Sequence, residues 1–98
     1  MIVVRDVFRL KFGKAKEAIA LWRQGQEILK KVEHTPERVL TDFVGTYYTL
    51  VLESTFNNIA EFEESLPKVF ANEQYQQWYQ KFVPLAESGY REILRIVE

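Results

Sequence analysis

The chain has 98 residues, and 13 Lys plus Arg against 14 Asp plus Glu leave a formal net charge of −1 with the one histidine neutral. That balance lacks the basic excess of a nucleic-acid binder, and 47% apolar with 28% charged residues is not the composition of a disordered chain. The lack of cysteine excludes disulfides, thiolate zinc sites and cysteine nucleophiles; no apolar run reaches membrane-spanning length, and charge at Arg5 and Asp6 comes too early for a secretory leader. A soluble cytoplasmic protein of one domain, residues 1–98, is expected.

Residues 2–11 alternate. Val4, Asp6, Phe8 and Leu10 share one parity and Val3, Arg5, Val7 and Arg9 the other, which predicts a strand ended by Gly13. Over residues 14–32 the period becomes helical: Ala15, Ala18, Ile19, Trp22, Gly25, Leu29 and Val32 form one face. A glycine inside a helix costs about 1 kcal/mol relative to alanine, so packing must hold this helix. Pro36 stops it, because the residue before proline is pushed out of the α region. Residues 37–44 and 47–55 are β-rich and flank Gly45-Thr46, the pattern of a hairpin. Asn57 or Asn58 caps a second helix, and Asn58 with Glu61 has capping-box spacing. Its apolar face is Ile59, Phe62, Leu66 and Val69, and Pro67 either kinks it or opens a new one. Asn72 offers a fresh cap, after which Tyr75, Trp78, Tyr79 and Phe82 fall on one helical face. Pro84 and Gly89 close that helix, and residues 89–97 alternate as a last strand.

The order β-α-β-β-α-β closes as a ferredoxin-like α+β sandwich, a four-stranded antiparallel sheet with its helices on one face. The other face of such a sheet is ordinarily polar. Here, with a two-residue turn, Leu40, Asp42, Val44, Tyr47, Thr49, Val51 and Glu53 share one face of the hairpin, and Val39, Phe43, Tyr48, Leu50 and Leu52 the other. Both faces carry large apolar side chains. A second copy of the chain is the simplest cover for the face without helices.

The stretches VFRLKFGKAKEAIALW (7–22), RVLTDFVGTYYTLVLESTFNNIAEFE (38–63) and WYQKFVPLAESGYREILRIVE (78–98) resemble the dimeric α+β barrel superfamily. Within it the likeness is to small NIPSNAP-like proteins and antibiotic-biosynthesis-monooxygenase-like domains. The resemblance spans essentially the whole chain. It implies a homodimer in which two sheets pack face to face. Haem-degrading members of that superfamily use an axial histidine from a helix and an asparagine on a strand. Here His34 falls in a proline-bounded loop, and Asn57, Asn58 and Asn72 fall at helix starts, so no cofactor is expected.

The chemistry is sparse. His34 reads as a solvated surface residue, no spacing matches a metal-ligand pattern, and the four glycines are too dispersed for a phosphate-cradling loop. The stripe Tyr75-Trp78-Tyr79-Phe82 with Trp22 reads as core packing or as the wall of a ligand cleft between helices and sheet. Asp6, on the helix side, either hydrogen-bonds Tyr48 or Tyr75, acts as a base with a raised pKa, or reaches water at a strand end. The cleft candidates are therefore Asp6, Trp22, Tyr48, Tyr75 and Trp78. Arg5, Arg9, Arg91 and Arg95 are assigned to the open sheet face with Asp42 and Glu53, as cross-strand pairs setting dimer register or as an anion site inside a barrel. With Tyr47, Thr49 and Val51, all but Arg91 make up the candidate dimer face. Two functions are open: a homodimer binding a small apolar or aromatic molecule or a protein partner, or a cofactor-independent monooxygenase-type enzyme acting on a flat aromatic or quinone-like substrate.

Overall fold

A computed structural model describes residues 1–32 and 35–97. Its elements in chain order are β1 (Ile2–Leu10), α1 (Ala15–Lys31), β2 (Arg38–Thr41), β3 (Thr49–Phe56), α2 (Ile59–Phe70), α3 (Glu73–Phe82), one 3₁₀ turn (Val83–Leu85) and β4 (Ala86–Arg95). The four strands pair antiparallel in the order β2-β3-β1-β4, the ferredoxin-like arrangement.

Local chemistry accounts for most boundaries. Gly13 at φ 82 makes the turn from β1 into α1. Asn58 accepts from the Glu61 backbone N–H at 2.9 Å while Glu61 accepts from Asn57 N–H at 2.9 Å, a reciprocal cap on α2. Pro67 is accommodated within α2, and the helical run breaks at Ala71 and Asn72, where the Asn72 side chain accepts from Tyr75 N–H at 2.9 Å and starts α3. His34 lies outside the described residues.

Three features depart from the sequence reading. The hairpin register matches a two-residue turn, but the ladder stops at Thr41 opposite Leu50. Beyond it the Asp42 carboxylate accepts from Thr49 N–H at 3.0 Å, so Asp42 ends the ladder, and Tyr47 lies in the exposed tip instead of on a sheet face. Gly89 does not close a helix. It sits within β4 opposite Phe8, where an added Cβ would lie 3.0 Å from the Phe8 ring and 3.2 Å from the Val7 carbonyl. Finally, Arg91 and Arg95 pair with Asp6 and Ile2, residues of the helix side, so neither belongs to the open face. Alternation divides β4 into two sets of residues; only its register against β1 decides which set meets the helices.

The helix side holds the core. Leu10, Leu50, Ala18, Trp22, Leu29, Val69, Trp78, Phe82 and Leu85 form one buried group, and Val4, Phe56 and Phe62 a smaller second one. On the open side the register aligns Val3, Arg5, Val7 and Arg9 with Thr55, Glu53, Val51 and Thr49 of β3 and with Leu94, Glu92, Tyr90 and Ser88 of β4. Glu53 is buried there between Arg5, whose Nε lies 2.9 Å from Oε2, and Arg38, whose Nη2 lies 2.6 Å from Oε1. Tyr90 and Leu94 beside them stay exposed.

Candidate ligand cleft

A cleft of about 650 Å³ opens between the helix side of the sheet and α1, α2 and α3. Its size falls within the range of small-molecule sites, roughly 300–1,000 Å³. Val4, Phe8 and Leu52 contribute its floor, Trp22, Trp78 and Phe82 one wall, and Phe62 and Leu66 the other. Both tryptophans are buried, with ring centroids 5.9 Å apart in an edge-on arrangement. Trp78 is held from both sides: its Nε1–H donates to the Leu21 carbonyl at 2.7 Å, and its ring lies where a side chain on Gly25 would be. The glycine inside α1 is therefore a seat for the indole. Phe82 stacks on Trp78 at 5.2 Å and meets Phe8 edge-on at 5.2 Å.

Polar groups concentrate at one part of the lining. Arg91 Nε donates to Asp6 Oδ1 at 2.6 Å, and the Arg91 guanidinium lies 5.1 Å above the Phe62 ring. An edge-strand arginine thus spans from β1 to α2. Tyr75 is half-buried, meets Trp78 at a tilt with centroids 5.6 Å apart, and stacks on Tyr79 at 6.0 Å. Burial pushes its phenol from 10.0 up to about 12; Tyr79 and Asp6 add to the rise and Arg91 partly offsets it. Tyr75 is accordingly a neutral hydrogen-bonding group at physiological pH.

Of the residues named from sequence, Asp6, Trp22, Tyr75 and Trp78 meet in this cleft. Tyr48 does not. It adopts φ 63, gives its carbonyl to Leu10 N–H at 2.7 Å and turns its ring onto Phe12 at 4.9 Å, lining a separate shallow recess with Thr41 and Tyr47. It is therefore unable to be the partner of Asp6, which takes Arg91 instead of either tyrosine. The aromatic stripe divides: Trp78 and Phe82 are core, whereas Tyr75 and the largely exposed Tyr79 edge the cleft. Arg91, which the sequence reading sets on the open face, lines the cleft instead. The available signal was Gly89, since a register that sets glycine against the bulky Phe8 also sets Arg91 against Asp6.

The lining is mostly aromatic and aliphatic, with the hydrogen-bonding groups of Asp6, Arg91 and Tyr75 in one part of it. Among the described residues no group of three His, Cys, Asp or Glu side chains is placed to hold a metal ion, and no helix is long and apolar enough to cross a membrane.

No protein-family model and no curated protein sequence matches the chain. Solved structures do. An uncharacterised NIPSNAP domain protein from Burkholderia xenovorans superposes with a TM-score of 0.90 at 18% identity, covering 99% of this chain and 95% of that one. A NIPSNAP family protein from Agrobacterium tumefaciens gives 0.91 at 19% identity, covering 99% and 86%. A putative antibiotic biosynthesis monooxygenase from Nitrosomonas europaea gives 0.71 at 15% identity over the full length of both chains. A cofactor-independent oxygenase from Streptomyces nogalater gives 0.68 at 9% identity, covering 99% and 93%. The chain thus has the ferredoxin-like fold of NIPSNAP-domain proteins and, at lower similarity, of the monooxygenases. At these identities the likeness speaks to fold, and fold does not fix function.

Proposed function

We propose that this protein binds a small flat apolar or aromatic molecule in the cleft and does so as a homodimer joined through the open sheet face. The observation that carries the reading is the cleft itself: about 650 Å³ walled by aromatic and aliphatic side chains, with one polar cluster of Asp6, Arg91 and Tyr75. A concave apolar space with few convergent polar groups is the physical form of a ligand site. Trp22 and Trp78 both line it, so a bound aromatic quenches their emission. Titration against a panel of flat aromatics is expected to give saturable quenching, abolished in Leu66→Trp, which fills the cleft from α2. Absence of quenching throughout the panel would remove the reading.

The dimer rests on a sheet that has helices on one side only and leaves Leu40, Tyr90 and Leu94 exposed on the other. A stable pairing buries about 1,600 Å² in total. Sedimentation equilibrium at micromolar concentration is expected to return twice the chain mass of 11.6 kDa; a clean monomer refutes it.

A second reading is a monooxygenase-type enzyme without a cofactor. It is favoured by the fold likeness to a cofactor-independent oxygenase and by a carboxylate and a phenol sharing one aromatic cleft. Oxygen uptake on addition of a ligand that quenches the tryptophans decides for it.

A further inference from the structure

The polar part of the cleft is electrically balanced before any ligand arrives. Asp6 Oδ1 accepts from Arg91 Nε at 2.6 Å, and Oδ2 lies 3.5 Å from Nη2. Among the described residues that line the cleft, these two are the only charged ones. The rest of the lining is aromatic, aliphatic or neutral polar, with Ser54, Gln76 and Gln80 as the amides and hydroxyl.

Resting on the reading of the cleft as a ligand site, we propose that Asp6 sets its specificity: by engaging Arg91 it restricts the cleft to uncharged flat molecules bearing a hydroxyl or carbonyl oxygen, and excludes carboxylates of the same shape. Arg91 and Asp6 keep part of their surface in water, but a carboxylate whose rings sit in the cleft still loses water against apolar walls and needs a cation in exchange. The one cation there is held by Asp6, whose like charge opposes the newcomer. A hydroxyl or carbonyl faces no such penalty. It can donate to Asp6 or accept from the guanidinium, which has five N–H groups and spends few of them on Asp6. Tyr75, a neutral phenol that senses both Asp6 and Arg91, supplies a further donor without adding charge. The cation–π contact of Arg91 with Phe62 keeps the guanidinium in place while the ligand exchanges.

The test uses 2-naphthol and 2-naphthoate, two flat ring systems of the same width that differ in the charge of the head, titrated calorimetrically at neutral pH. Wild-type protein is expected to bind 2-naphthol at least about tenfold more tightly than 2-naphthoate. Asp6→Asn keeps an acceptor oxygen for Arg91 but frees its charge. In that variant 2-naphthoate is expected to gain about tenfold or more, levelling or reversing the preference, while 2-naphthol changes by less than about threefold. Arg91→Gln is expected to reject 2-naphthoate altogether. Wild-type protein that binds neither probe overturns the reading of the cleft as a ligand site. Equal binding of both probes, or a preference that Asp6→Asn leaves unmoved, overturns the role of Asp6 alone. Circular dichroism confirms that each variant is folded, and Asp6→Ser, which also removes the charge, is read in the same way if Asp6→Asn does not fold.

Discussion

Gly25→Ala should destabilise this protein, although it improves the helix. In an exposed helix interior the change gains about 1 kcal/mol from propensity. Here an alanine Cβ would stand 2.5 Å from Trp78 Cε2, 2.6 Å from Cζ2 and 2.9 Å from Nε1, closer than non-bonded atoms approach. The cleft lies beside the indole, but moving into it breaks the contacts that hold the ring. Its Nε1–H is tied to the Leu21 carbonyl at 2.7 Å, and Phe82 stacks on it at 5.2 Å. Overpacking a core typically costs about 1–3 kcal/mol. Shifting the ring also strains or breaks a buried hydrogen bond, about 1–3 kcal/mol more if the donor is stranded. Set against the propensity gain, the net is a loss of about 2 kcal/mol, or a fall of roughly 8–16 °C in Tm for a domain of this size.

Guanidinium unfolding followed by tryptophan emission and by far-ultraviolet circular dichroism measures the loss. Trp78→Phe removes the indole atoms in question, so in that background Gly25→Ala should become neutral or stabilising by up to about 1 kcal/mol. The coupling between the two sites is then about 2 kcal/mol or more. A Gly25→Ala protein as stable as wild type refutes the close seating of Trp78. Because the displaced ring has the cleft beside it, the variant should also bind flat aromatics more weakly.

Glu53→Gln should lose about 2 kcal/mol in denaturant unfolding, since it leaves Arg5 and Arg38 facing each other over a nearly buried neutral amide; the exposure of Arg38 keeps the loss below that of a fully buried pair. Leu94→Asp, on the exposed part of the open face, should shift the mass in sedimentation to the monomer with little loss of secondary structure, whereas Leu50→Asp, fully buried beneath the helices, should unfold the chain. Tyr75 imposes an alkaline limit. Its folded value of about 12 lies above 10.0, so between these values the unfolded chain sheds the proton first and stability falls as pH rises. The fall is roughly 1–2 kcal/mol once its partial exposure is allowed for, and a Tyr75→Phe protein should show a flatter decline in thermal melts between pH 10 and 12.

Element order was legible because each signal was local. Alternation in residues 2–11, helical spacing from Ala15 to Val32, and the caps at Asn58 and Asn72 each act within a few residues. What periodicity could not supply was the register of β4. The sets Gly89, Arg91, Ile93, Arg95 and Tyr90, Glu92, Leu94 both mix apolar with charged side chains, so hydrophobicity alone does not choose the buried one. Asp6 lies on the helix side that alternation assigns it, but its partner depends on the register of β4. Tyr48 escaped for another reason. Its φ of 63 is rare for a tyrosine, and a left-handed residue turns its side chain away from the face that simple alternation assigns.

The cleft itself was legible only as a set of wall residues, because its volume is what packing leaves over. The buried side chains do not form one continuous core. Leu10, Leu50, Trp22, Trp78 and Phe82 bind α1 and α3 to the centre of the sheet, whereas Val4, Phe56 and Phe62 form a separate group under α2. The helix break at Ala71 and Asn72 lets α2 turn away from α3, while Val69 near its end still reaches the larger group, and the space between the two groups is lined by members of both. Arg91 crosses it from β4, joined to Asp6 on one side and resting on Phe62 on the other. α2 packs less extensively on α3 and β3 than α1 and α3 pack on each other, so the α2 wall is the one expected to give way when a ligand enters. Amide hydrogen exchange should then show α2 opening at lower free energy than α1 or α3, with protection rising in α2 when an aromatic ligand binds. Uniform protection across the three helices would mean that α2 is held as firmly as the main core, and that a ligand must enter without moving it.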